Sequence, residues 1–317
     1  MERQEGTLPL VVVAGPTASG KTALAVELAL RFGGEVVSAD SMQVYRRMDI
    51  ATAKPDEAEM RGVPHHLIDF IEPDDAAFSV ADYARLAHAA IGEIAARGKL
   101  PILAGGTGLY IGAVVDNLDY GDIPASPEIR EELRRRAQER GGAAMLEELR
   151  AVDPALAYRL HPNNLGRVLR ALEVYRTTGI PMSEHQRRSR LTPARYELCM
   201  LGIGFHDRAK LYERIDRRVD EMMARGLLDE AREISRLYGG TARQAIGYKE
   251  LQPYLDGVAP LEESVARLKQ ATRNYAKRQL TWFRRDERVR WLYADEFSSS
   301  AGLAQKASEL VHNSKIL

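Results

Sequence analysis

A glycine-rich run with one lysine and one hydroxyl at fixed spacing carries the first chemistry in this chain. Residues 15–22 read GPTASGKT and satisfy G-x-x-x-x-G-K-[ST] in full, straight after an apolar run and at the start of a helical one. Gly15, Pro16, Thr17, Ala18, Ser19 and Gly20 form a loop whose N–H groups can cradle phosphate oxygens, and a following helix N-terminus adds partial positive charge. Lys21 is set to neutralise a terminal phosphate, and the Thr22 hydroxyl to ligate Mg²⁺. The loop alone does not choose its guest, since nucleoside triphosphates and other pyrophosphates fit the same cradle. The 100–106 run LPILAGG ends in glycines rather than in a carboxylate, so an ATPase switch is a poor fit and kinase-like or transferase chemistry a better one.

Asp40 closes a second apolar run, EVVSAD at 35–40, and is followed by Ser41, Met42 and Gln43. In an open parallel sheet, ligands bind beyond the carboxyl ends of the strands. A carboxylate there can hold Mg²⁺ through water or take a proton from a nucleophile; a plain helix cap is the alternative. GGTGLY at 105–110 ends another run, and its glycines allow close backbone approach while Thr107 can point into the same crevice. Simple turns use glycines too.

These residues need strands that end side by side. LVVVAG (10–15), EVVSAD (35–40), HHLIDF (65–70), LPILAGG (100–106), ELCMLGIGF (197–205) and VRWLY (289–293) read as buried strands. Helical patterns at 20–32 and 81–98 alternate with them, which predicts an α/β fold: a parallel P-loop sheet core flanked by helices. Residues 126–188 contain no convincing strand and start helices at Ser or Asn caps, so they predict a helical insertion. From 207 onward the chain predicts a helical region with long segments near 207–238, 241–256 and 260–285. The expected division is a first core part at 1–119, an insertion domain at 120–190, and core completion with a basic helical region at 191–317.

The chain has 317 residues, 45% of them hydrophobic, with 45 basic and 45 acidic side chains, which excludes a disordered chain. No apolar run reaches the roughly 20 residues of a membrane span, and the acidic, polar start predicts no signal peptide. The single Cys199 excludes an internal disulfide and a cysteine-rich zinc site, so the expected compartment is the reducing cytoplasm. His65, His66 and His161 show no metal-ligand spacing and read as structural or phosphate-adjacent. Charge is uneven: residues 1–120 hold 10 basic and 17 acidic side chains, leaving 35 and 28 to the rest. A basic second half suits a polyanion such as nucleic acid.

GPTASGKT, SADSMQVYRRMDIATAKP (38–55), PHHLID (64–69), GGTGLYI (105–111), HPNNLGRVLRALEVYRTTG (161–179), QAIGYKE (244–250) and AKRQLTWFRR (276–285) occur in that order. This ordered set resembles the bacterial tRNA dimethylallyltransferase (tRNA isopentenyltransferase) family over nearly the whole chain. The resemblance implies transfer of a dimethylallyl group from dimethylallyl pyrophosphate to N6 of the adenosine 3′-adjacent to the anticodon, in tRNAs reading codons that begin with U. It implies that the phosphate loop binds the donor pyrophosphate with Mg²⁺, that Asp40 is the general base, and that Thr107 contacts the target nucleotide or leaving group. Arg218 would hold the pyrophosphate. The implied tRNA contacts are Asp40, Ser41, Met42, Gln43 and Thr107, then Arg130, Gly166, Arg167, Val168, Leu169 and Arg170, and then Gln244, Ala245, Ile246, Gly247, Tyr248 and Lys249. Gly166 stands where the family often has a polar residue, so no side-chain base contact is expected there. The insertion is expected to grip the anticodon stem-loop, and the enzyme to be monomeric.

Residues 264–285 carry seven basic side chains (Arg267, Lys269, Arg273, Lys277, Arg278, Arg284, Arg285) and no acidic one. Unopposed charges suit RNA phosphates, with Arg278 and Arg285 as test positions. Trp282 either stacks on an RNA base or packs in the core, and its place between Leu280 and Phe283 favours the core. The main rival is an adenylate isopentenyltransferase acting on free AMP or ATP, which needs neither the basic helices nor the insertion. A small-molecule P-loop kinase needs an adenine site and an acceptor site that nothing in the sequence identifies, and a non-enzymatic RNA-binding protein has no use for the loop paired with Asp40.

Overall fold

The computed structural model describes residues 7–73, 78–118, 126–314 and 316–317, with the side chain of Thr241 left out. Two compact units result: Met1–Val115 with Arg195–Leu317, and Asp116–Ala194 between them in sequence. The expected boundary at 119–120 lies outside the described residues.

The larger unit begins with β1 (Leu8–Ala14), α1 (Lys21–Phe32) and β2 (Gly34–Ser38). A short helix α2 (Glu57–Met60), β3 (His65–His66), α3 (Val80–Ala96), β4 (Leu100–Gly105) and α4 (Gly108–Val115) follow. The smaller unit holds α5 (Pro127–Val152), α6 (Pro154–Ala157), α7 (Leu165–Thr178) and α8 (Met182–Ser189), with no strand among its described residues. The larger unit resumes with β5 (Tyr196–Gly204), α9 (Arg208–Ala224), α10 (Leu227–Leu237) and α11 (Gly240–Arg243). It ends with α12 (Tyr248–Leu255), α13 (Leu261–Phe283), β6 (Val289–Tyr293) and α14 (Ser300–Asn313).

The six strands pair in parallel in the order β3-β2-β4-β1-β5-β6. In β1, Val11 and Val13 face a core shared with α1 and α14, whereas Leu10, Val12 and Ala14 face α3 and α4. A strand buried on both faces must be apolar throughout, and each such side chain contributes about 1.5–3 kcal/mol. That burial fixes where β1 stops, and so where the phosphate loop starts. No described helix is long and apolar enough to cross a membrane.

Three expected elements differ. The 65–70 run pairs only at His65–His66, because Leu67 and Asp69 take positive φ (61° and 60°) and leave the ladder. The 207–238 segment breaks into α9 and α10 at Gly226 (φ 99°), and 241–256 into α11 and α12 with Gly247 (φ 113°) between. Nothing in the reading above foresaw α14, although Leu303, Ala304, Ala307 and Val311 recur at helical spacing and bury against the sheet.

Candidate active site

The loop from Gly15 to Gly20 leaves β1 and enters α1 through two left-handed residues, Ala18 (φ 61°) and Gly20 (φ 94°). Two outside side chains hold it. The Arg214 guanidinium of α9 donates to the Ala18 carbonyl (2.9 Å), and the Thr17 N–H donates to Gln279 Oε1 of α13 (2.9 Å). The Ser19 N–H turns back to the Pro16 carbonyl (3.3 Å). The Thr17 N–H is thus taken by α13 and the Ser19 N–H by the loop itself, whereas those opening α1 have no intrahelical acceptor and remain for an anion.

A cavity of about 270 Å³ opens over this loop, lined by Lys21 and Thr22, by Ile50, Ala53 and Lys54, and by Arg214, Arg217 and Arg218 of α9. Lys21 is pushed down to about 8, first by burial and then by the neighbouring charge of Arg218, while Asp40 pulls the other way. Burial likewise lowers Arg218, with Glu59 and Asp40 opposing. Among the described residues Arg218 makes no ion pair. Two buried cations over an anion cradle, one lowered by the charge of the other, are poised for a polyanion.

A smaller cavity of about 20 Å³ is lined by Lys21 and Thr22 together with Ser38, Asp40, Gln43 and His65. Asp40 stands just past β2, and its Oδ1 accepts the Met42 N–H (2.9 Å). The end of β4 lies so close that a Cβ on Gly105 would sit 2.2 Å from the Ala39 carbonyl oxygen, so only glycine fits. That approach lets the Thr107 N–H donate to the Ala39 carbonyl (3.1 Å) and the Ser41 N–H donate to Thr107 Oγ1 (3.0 Å). The hydroxyls of Tyr83, Tyr110 and Tyr275 are all raised, by burial first, with the negative charge of Asp40 adding to each.

Thr22 and Asp40 are the oxygen groups here that suit Mg²⁺, which keeps several waters and takes one or two protein oxygens beside phosphates. No group of three His, Cys, Asp or Glu side chains able to hold a metal unaided occurs among the described residues.

Several residues named from sequence are engaged internally. The Gln43 amide donates to the Thr52 and Ala53 carbonyls (3.2 and 3.1 Å) and accepts from Ser38, bracing the loop instead of standing free. Ala245 and Tyr248 are buried, whereas Gln244 and Lys249 are exposed and Ile246 is half-buried. In the smaller unit Val168 is wholly buried, Leu169 packs on the same core, and Gly166 and Arg167 face outward. Arg130 and Arg170 both meet the Glu173 carboxylate (3.0 and 3.1 Å).

The seven basic residues of 264–285 are not all unopposed. Arg267 pairs with Glu263, Lys269 with Asp220 (2.6 Å) and Arg273 with Asp216 (2.6 Å). Lys277, Arg278, Arg284 and Arg285 are exposed and make no ion pair among the described residues, so the free charge gathers at the C-terminal end of α13. Arg278 lies over the Tyr275 ring, 5.6 Å from its centroid. Trp282 is 43% exposed, not core; it lies across Gly108, where an added Cβ would meet its ring at 2.2 Å.

Sequence reasoning missed Arg214, Gln279 and Glu230. Arg214 lies one turn before Arg218, a spacing that could have exposed it. Gln279 occupies an apolar position between Ala276 and Phe283, a polar residue where a core side chain belongs. Glu230 accepts the N–H groups of Asp49, Ile50 and Ala51 (3.0, 2.7 and 2.9 Å), and no local pattern announces it.

The chain is similar to known proteins over most of its length. The profile of the family described as IPP transferase matches residues 43–286. A tRNA dimethylallyltransferase of Caldanaerobacter subterraneus subsp. tengcongensis is 46% identical over 307 residues, covering 95% of this chain and 97% of the relative. That of Symbiobacterium thermophilum is 52% identical over 287 residues, covering 90% and 89%. The crystal structure of the full-length tRNA isopentenylpyrophosphate transferase from Bacillus halodurans matches with a TM-score of 0.71 at 44% identity, covering 96% of this chain and 97% of that one. A eukaryotic dimethylallyltransferase acting on tRNA matches with a TM-score of 0.80 at 28% identity, covering 97% and 80%.

Proposed function

Because the chain belongs to the IPP transferase family, whose members similar to it are tRNA dimethylallyltransferases, we propose that it prenylates N6 of the adenosine 3′-adjacent to the anticodon. The donor is dimethylallyl pyrophosphate, and the tRNAs are those reading codons that begin with U. The observation that carries this reading is that Asp40 lines one cavity with Lys21 and Thr22, next to the larger one holding Arg218. A proton acceptor and an anion cradle therefore meet across Lys21 and Thr22, which line both cavities, as attack by an amine on a prenyl pyrophosphate requires.

The exocyclic amine of adenine is a weak nucleophile because its lone pair is delocalised into the ring. As its nitrogen bonds to C1 of the prenyl group, the C1–O bond to pyrophosphate breaks and one N6 proton passes to Asp40, a general-base contribution of about 10²–10⁴. Thr107, tied to Ser41 and Ala39, sets the backbone that carries Asp40 and presents a hydroxyl to the nucleotide or leaving group. Negative charge growing on the leaving group meets Lys21, Arg218 and the free N–H groups of the loop. Thr22 would hold Mg²⁺ beside the donor phosphates, and the ion would supply further charge neutralisation there. The target base must leave its stack to reach Asp40. On the RNA side, Arg278 and Arg285 track phosphates, and Gly166, Arg167, Gln244 and Lys249 are the exposed members of the remaining contact set. The enzyme acts as a monomer in the cytoplasm on this reading, and the phosphate loop takes no nucleoside triphosphate for the reaction.

The test mixes the purified chain with Mg²⁺, dimethylallyl pyrophosphate and either an anticodon stem-loop or free AMP, without ATP, and reads products by mass spectrometry. Prenylated stem-loop is the expected result. Product from AMP alone would move the chain to the adenylate isopentenyltransferases, and a need for ATP would exclude the donor assignment.

A further inference from the structure

We infer that Gln279 is a positioning residue that ties the donor loop to the acceptor-side turn, so that RNA held at the end of α13 alters donor binding. The side chain is 5% exposed and its amide is used at both ends. Oε1 accepts the Thr17 N–H of the phosphate loop (2.9 Å), and Nε2 donates to the Gly106 carbonyl (3.0 Å). Gly106 has to be glycine for this reach, since a Cβ there would lie 2.1 Å from Gln279 Nε2. The next residue is Thr107, whose N–H and hydroxyl fix Ala39 and Ser41 on either side of Asp40. One continuous set of hydrogen bonds therefore runs from phosphate loop to base, and α13 enters it through Gln279, which alone of its described side chains reaches the phosphate loop, and through the Tyr275 hydroxyl, which bonds to Thr107 and Gln279. Arg278 precedes Gln279 in the chain, and Trp282, one turn on, lies across Gly108. A shift of α13 by bound RNA moves the amide that holds Thr17.

Buried amides of this kind are high-stakes, because losing one partner leaves a donor or acceptor without water. Gln279→Leu keeps the bulk and removes both bonds. Gly106→Ala changes no residue of α13 and displaces the same amide from the β4 side. The inference rests on the functional reading above, and the wild-type control separates the two. Affinity of Mg²⁺–pyrophosphate is measured by calorimetry with and without a saturating anticodon stem-loop, alongside melting curves and single-turnover prenylation. The wild-type chain should prenylate the stem-loop, and the stem-loop should change its pyrophosphate affinity about fivefold or more. Both variants should lose that coupling and bind pyrophosphate about five- to a hundredfold more weakly, while stem-loop affinity without pyrophosphate stays at the wild-type value. Gln279→Glu, which keeps the acceptor for Thr17, should recover part of the pyrophosphate affinity. A wild-type chain that fails to prenylate the stem-loop overturns the functional reading. Prenylation with no coupling in the wild type, or with coupling retained in a folded Gln279→Leu variant, overturns the inference alone.

Discussion

Arg130→Met tests whether that arginine serves RNA or the fold of the smaller unit. The Glu173 carboxylate is 1% exposed and accepts from Arg130 Nε and Nη2 (3.2 and 3.0 Å) and from the Ser126 N–H (3.1 Å). Burial is the largest influence on its pKa and pushes it up. Arg130 and Arg170 together outweigh that and hold the group below the usual carboxylate range. Breaking a fully buried ion pair costs about 3–5 kcal/mol. Here Arg170 and Ser126 remain, and the Arg130 side chain is 40% exposed, so solvent screens part of the loss. An unfolding cost of about 2 kcal/mol follows. Urea titration of wild type, Arg130→Met, Glu173→Gln and the double variant isolates the pair. The pH dependence has a definite sign. A carboxylate with a depressed folded pKa contributes stability above its unfolded value, about 4.3, and loses it as pH falls through the folded one. The gap between wild type and Arg130→Met should therefore close below about pH 4. Unchanged unfolding, with anticodon stem-loop affinity reduced, would refute the structural role.

Lys21, lowered to about 8, should be partly neutral at pH 8.5, so binding of the pyrophosphate anion should draw in a proton there. Calorimetry in two buffers of different ionisation enthalpy should show that uptake, and Lys21→Ala should abolish it while weakening pyrophosphate and sparing stem-loop affinity. The same shift penalises the folded state while Lys21 is charged, below about 8, and the penalty is relieved as pH rises from there towards 10.5. Trp282→Ala should cost about 1–3 kcal/mol of stem-loop affinity without changing its salt slope, whereas Phe283→Ala, 2% exposed, should lower stability by about 3–5 kcal/mol; equal melting losses in the two would return Trp282 to the core. Arg278→Ala and Arg285→Ala should each flatten the plot of log affinity against log salt by roughly 0.7–0.9, and unaltered slopes in both would leave these charges as solvated surface.

The parallel sheet was legible because β1, β2 and β4 are short apolar runs, and in β1 both faces are buried with no polar residue to blur the pattern. GPTASGKT announced its loop because every position has a separate mechanical part. The 65–70 run misled because its apolar character serves the packing of Leu67, and positive φ values are invisible in non-glycine residues. Charge was read too simply along 264–285. Composition shows no acid within the segment, yet Asp216 and Asp220 reach it from α9, a helix far away in sequence. Trp282 looked like core from its neighbours, but a helix turns about 100° per residue, which puts Phe283 inside and Trp282 out. Gln279 and Glu230 were illegible as site residues because their partners are backbone groups of distant loops.

The central claim is that Asp40 removes the N6 proton while the phosphate loop holds the leaving group. Single-turnover prenylation of an anticodon stem-loop by Asp40→Asn, with donor and RNA saturating and both affinities measured in parallel, tests it most directly. The account predicts a rate lower by about 10²–10⁴ with both affinities near wild type. A wild-type rate accompanied by weakened RNA binding would contradict it and leave Asp40 as an RNA contact.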